Sequence, residues 1–174
     1  MECTVFNPFE DRFSRDMRNA LSSALASAIE TGVDTPLLAL IEDYRSRDLA
    51  PHYQNYFQDR WDRFTKALTS IQPDQEPIAQ AVILWNHGLF FEVHEVLEHV
   101  WYHTLGNEKL VLQALIRAAG VYVKQEYGYT ATASKIAGKS WPVLKENAQL
   151  LTPYFNPGPL ILALQHLDKK PPKL

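Results

Sequence analysis

The stretch Gly88-Leu-Phe-Phe-Glu-Val-His-Glu-Val-Leu-Glu-His-Val-Trp101 gathers residues able to do chemistry. On a helix turning about 100° per residue, Phe90, Phe91, Val93, Val96, Leu97, Val100 and Trp101 form a broad apolar arc. His94 and Glu98 fall inside that arc, between Trp101 and Phe91. An imidazole and a carboxylate four residues apart on a largely buried face must pair or share a ligand. A buried polar group without a partner costs about 1–3 kcal/mol. Glu95 sits at the edge of the arc, and Glu92, His99 and His103 fall on the opposite side, where solvent is expected.

Three readings follow from this placement. In the first, a small polar or anionic ligand enters a partly buried pocket between this helix and the next. His94 donates or accepts a proton, Glu98 orients it, Glu95 lies at the rim, and Phe90, Phe91 and Trp101 form the walls. Gln113 and Arg117, aligned with Gly120 and Lys124 on the following helix, would contact the ligand. In the second, His94 and Glu98 hold a divalent metal and His94, Glu95 and Glu98 serve a metal-dependent or general acid–base hydrolase. His94-Glu95-Val96-Leu97-Glu98 is one residue away from the zincin pattern of two His flanking a Glu, and His87 is a third candidate ligand. In the third, the His94–Glu98 pair is purely structural and the chain is a protein-interaction bundle.

The elements that must position these residues are helical throughout. Phe13, Met17, Leu21, Leu25 and Ile29 recur at helical spacing over Glu10–Glu30, and Thr31-Gly32 ends that run. Thr35-Pro36 opens a second helix and Pro51 a third, striped by Tyr53, Tyr56, Phe57, Trp61 and Phe64. That stripe is either core, a homodimer seam or, if exposed, a partner surface. A fourth helix spans Pro77 to His87, the motif helix Leu89 to Leu105, a sixth Glu108 to Tyr127, a seventh Thr130 to Leu151 and a short last one Leu160 to Leu167. No strand pattern appears. The expected fold is an all-α, antiparallel bundle of about seven to eight helices without a sheet. Residues 1–72 read as a helical extension packed on a core of 77–168, and 169–174 as a mobile tail.

Composition narrows the classes. The chain has 174 residues, 46% of them hydrophobic and 21% charged, with a net charge of −3. That balance argues against a dedicated nucleic-acid binder. A single cysteine, Cys3, cannot form an intrachain disulfide. The absence of a long apolar run or a signal-peptide pattern points to a cytoplasmic protein that does not enter a membrane.

The motif helix resembles the small helical bacterial and archaeal family called domain of unknown function 309. The family pattern of Gly, two aromatics, Glu, His-Glu, Leu-Glu and Trp is matched by Gly88, Phe90, Phe91, Glu92, His94, Glu95, Leu97, Glu98 and Trp101. Downstream, Gln113-Ala114-Leu115-Ile116-Arg117 stands where the family has a Gln-Gly-Leu-Ile-Gln-like segment, and Val123-Lys124 stands where it has a late His. The likeness covers about Pro77 to Leu151. It implies an all-α fold and a shared site, and brings no activity with it.

Overall fold

The computed structural model describes residues 5–174; Cys3 lies outside them. It contains eight α-helices and no strand among the described residues. They are α1 (Arg12–Thr31), α2 (Thr35–Ser46), α3 (Pro51–Leu68), α4 (Pro77–Asn86), α5 (Phe90–Trp101), α6 (Gly106–Glu126), α7 (Thr130–Glu146) and α8 (Pro157–His166). A 3-10 turn, Ala148–Leu150, follows α7. None of the described helices is long and apolar enough to cross a membrane. The chain divides into two compact units, Met1–Asp74 and Gln75–Leu174.

In the first unit, α1 packs on α2 and α3. Met17, Leu21, Leu25 and Ile29 form the buried stripe of α1, and Leu37, Ile41, Phe57 and Phe64 are buried on α2 and α3. The aromatic stripe of α3 is largely consumed within the unit. Phe6 stacks on Tyr56 with ring centroids 3.6 Å apart, and Phe13 meets Tyr53 edge-on at 4.7 Å. Asp11 caps α1: its carboxylate accepts from the Ser14 amide at 2.7 Å, the Ser14 hydroxyl at 2.7 Å and Tyr53 Oη at 2.8 Å. Proline rather than a side-chain cap starts α2 and α3. Pro suits the first turn because its missing N–H would have no partner there.

In the second unit, each helix from α4 to α8 contacts the next one along the chain. The α6–α7 seam is built from small residues: Ala114, Ala118, Ala133, Ala137 and Ser140 are all buried. Their size lets the two backbones approach closely, and Ser140 Oγ donates across the seam to the Ala114 carbonyl at 2.7 Å. A second knot joins α4, α5 and α6. Trp85, Phe90 and Tyr122 meet at centroid distances of 5.0–5.4 Å, the range favoured by aromatic pairs. Burial pushes the Tyr122 phenol up to about 12, with Asp168 adding to the shift.

Several boundaries differ from the sequence reading. The motif helix stops at Trp101 rather than Leu105, and α6 begins at Gly106, after an uncapped Leu105, rather than at Glu108. The last helix begins earlier, at Pro157, where the Asn156 side chain accepts from the Gly158 amide. The tail expected to be mobile is instead held to α4: Trp85 Nε1 donates to the Pro172 carbonyl at 2.8 Å, and the Asn86 side chain bonds the Leu174 backbone.

The Asp11 cap has a measurable pH signature. The Ser14 hydroxyl bond, chiefly, holds the Asp11 carboxyl below its ordinary value of 3.8. Its stabilisation is therefore complete above the unfolded-state value and is lost as pH falls through the lower folded-state value. Asp11→Ala is expected to cost about 1 kcal/mol near neutral pH, in line with other N-cap deletions, and to flatten the acid limb of stability followed by circular dichroism.

Candidate functional site

The site begins with the turn that aims α5. Gly88 takes φ +70°, and two hydrogen bonds close the end of α4: Leu89 N to Leu84 O at 3.0 Å and Gly88 N to Trp85 O at 2.8 Å. This is a Schellman closure, and its left-handed residue favours glycine because a Cβ there would clash with the backbone. Leu89 is then fully buried, and Phe90, Val93, Val96 and Leu97 follow as the inward face of α5.

Beside that face runs a half-exposed stripe of Phe91, His94, Glu95 and Glu98, spaced so that all four share one side of the helix. The Phe91 and His94 rings are near-parallel, 11° apart, with centroids at 5.8 Å, which limits the imidazole's freedom. His94 Nδ1 points at both carboxylates, 3.4 Å from Glu95 Oε1 and 3.9 Å from Glu98 Oε2. One donor atom from each of the three residues lies within 4.8 Å of the others. His94 Nδ1 is enclosed yet has no hydrogen-bond partner. Among the described residues no Lys or Arg pairs with Glu95 or Glu98. The arrangement is two carboxylates facing one imidazole nitrogen, a donor set with surplus negative charge.

Burial corrects two expectations. His94 and Glu98 are not largely buried; their side chains keep 34% and 39% of their exposure, so a helical face read as core is here a margin. Glu92, expected in solvent, is fully buried. It sits in the first turn of α5, where the unpaired amides of the helix start favour a carboxylate. A helical wheel assumes one packed side, and α5 is enclosed on more than one at its start. His99 and His103 are exposed as expected.

The other named residues scatter. Phe90 belongs to the Trp85–Tyr122 knot rather than to a pocket wall. Trp101 carries the Lys109 ammonium 4.5 Å above its ring, near the start of α6. Gln113 and Arg117 are half-buried, but neither makes a hydrogen bond or ion pair with the cluster. The Arg117 guanidinium donates instead to the Lys139 carbonyl of α7, at 3.4 Å. His87 is the C-cap of α4 and lies outside the three-donor cluster, whose third member is Glu95.

A separate cleft of about 200 Å³ opens at the far end of α5, lined by Ile78, Val100, Leu112, Glu76, Glu108 and Tyr154 among others. The Tyr154 hydroxyl donates to Glu76, and this bond, with burial and the two nearby carboxylates, pushes the phenol up to about 12. None of the sequence-nominated residues lines that cleft.

Residues 78–136 match the family model described as Domain of unknown function (DUF309). The match takes in α4 from its second residue, all of α5 and α6, and the start of α7. Comparison with curated proteins and with solved structures finds no match.

A half-exposed pair 3.9 Å apart contributes little to folding, because solvent screens the attraction. A double-mutant cycle of His94→Ala and Glu98→Gln, read by chemical denaturation, should give a coupling energy below about 1 kcal/mol.

Proposed function

We propose that His94, Glu95 and Glu98 hold a divalent cation on the stripe of α5, and that a small polar or anionic ligand binds through the cation's remaining positions. The observation that carries this reading is the convergence of three donor atoms within 4.8 Å, two of them carboxylate oxygens without a Lys or Arg partner among the described residues. An anionic ligand binding directly would meet two negative charges, and Arg117 is turned towards α7. A bound cation reverses the local sign and gives the same ligand an attractive site.

Distances support the reading. An ion bonded at about 2.0–2.2 Å to nitrogen and oxygen needs its donors roughly 3.0–3.4 Å apart. His94 Nδ1 and Glu95 Oε1 already stand at 3.4 Å, and the Glu98 side chain closes the remainder by small torsional changes. A cation would also satisfy the enclosed Nδ1. One imidazole with two carboxylates suits zinc, manganese or ferrous iron, and three protein donors leave positions open, as catalytic rather than structural centres do. Metal-assisted hydrolysis is the reaction class such a centre supports, through a water whose proton the metal loosens. In this role His94 is a ligand, not a proton shuttle. The late family His absent from α6 is not needed, since all three donors come from α5.

The test is elemental analysis of protein purified without chelator or affinity metal, then dialysed against zinc or manganese. About one ion per chain should be retained, and His94→Ala and Glu98→Gln should each lose it. Equal retention by the variants, or none by the unaltered chain, contradicts the proposal.

A further inference from the structure

The tail contacts on α4 have a chemistry that reaches beyond this chain. Three of the four hydrogen bonds that hold it are made to its main chain. Trp85 Nε1 donates to the Pro172 carbonyl at 2.8 Å. The Asn86 amide forms a two-way pair with one residue: its Nδ2 donates to the Leu174 backbone oxygen at 2.9 Å, and its Oδ1 accepts from the Leu174 amide at 3.0 Å. The fourth is specific to a basic side chain, because Lys173 Nζ donates to the Asn86 carbonyl at the end of α4. Helix ends leave such carbonyls without intrahelical partners, and a cation there is favoured by the helix dipole. Leu174 itself closes a small apolar pocket formed with Ile78, Ala81, Val82, Val93 and Phe155.

This is the division of labour of a peptide-recognition groove. Polar groups read an extended backbone, which any sequence presents, and one pocket with one carbonyl reads the side chains. The Pro171-Pro172 pair pre-forms the extended conformation and lowers the entropy of docking. The tail leaves α8 through Leu167, whose φ of +54° is the one positive value among the described non-glycine residues. That conformation closes α8 as a left-handed C-cap, with Asp168 N bonded to Ala163 O at 2.9 Å, and the segment beyond it is held by groups outside its own helix.

We infer that the α4 groove is a docking site for an extended segment of a partner protein in which proline, a basic residue and leucine follow one another, and that Pro171–Leu174 is its resident competitor. A tethered tail acts at an effective concentration on the order of millimolar, so the groove is closed to weak binders and opens to a partner that out-competes the tail. The apparent affinity for a partner is reduced by the fraction of time the groove is free. The groove backs onto Val93 and Leu97, the inward neighbours of His94 and Glu98, so the same helix serves both surfaces.

The test is fluorescence anisotropy of a labelled Lys-Lys-Pro-Pro-Lys-Leu peptide against three full-length chains: unaltered, Leu174→Asp, and Leu174→Asp combined with Asn86→Ala. The Leu174→Asp chain should bind the peptide at least about tenfold more tightly than the unaltered one, and the added Asn86→Ala should abolish the gain. Circular dichroism confirms equal helix content; if the Asn86→Ala chain fails to fold, Asn86→Leu, which removes both side-chain hydrogen bonds to Leu174 at similar volume, takes its place. Equal affinity of the first two chains overturns the inference, as does a gain that survives loss of Asn86. Self-association of the unaltered chain that disappears in Leu174→Asp would assign the groove to a second copy and overturn the partner assignment.

Discussion

The second unit depends on the burial of the inward face of α5. Leu89, Val93 and Leu97 are nearly or wholly removed from water, and Phe90 is locked between Trp85 and Tyr122. Each such side chain contributes about 1.5–3 kcal/mol on burial, so together they fix the rotation of α5 about its own axis. That rotation decides which residues share the margin of the helix. With Phe90 and Leu97 turned in, Phe91, His94, Glu95 and Glu98 can only stand side by side at the edge. The candidate site is therefore a consequence of packing that does not itself involve the polar residues.

The Gly88 turn is the second condition. A helix that continued from α4 into α5 would carry Trp85 and Phe90 on different radial positions along one axis. The left-handed Gly88 reverses the path and lets the two rings meet at 5.0 Å. The same reversal leaves the carbonyl end of α4 open, where Asn86 and Lys173 meet. One glycine thus sets up both the margin of α5 and the anchor of the tail.

Much of this was legible in the sequence because the signals are local. Proline at 36, 51 and 77 marks helix starts through a constraint on φ and a missing donor, and the helical repeat of Met17, Leu21 and Leu25 identifies a buried face without any tertiary information. The His94, Glu95 and Glu98 grouping was also legible, since spacing alone puts them together. What failed was everything decided between elements. Glu92 is buried because α5 is enclosed on a second side, which no single-helix pattern encodes. Arg117 bonds to the Lys139 carbonyl because small residues bring α7 close to α6, and the tail docks because Trp85 and Asn86 offer donors that only the folded chain brings into range. The sixth helix, expected from Glu108, starts at Gly106.

The central claim is that the polar margin of α5 exists to hold a cation through His94 Nδ1. Proton NMR of the histidine imidazoles during titration with zinc tests it most directly, because a diamagnetic ion shifts the resonances of its own ligand without broadening those of neighbouring side chains. The account predicts that His94 signals shift on zinc addition while those of exposed His99 and His103 stay in place, and that Glu98→Gln abolishes the shift. Equal shifts of all three histidines, or a His94 signal unchanged by zinc, would contradict it.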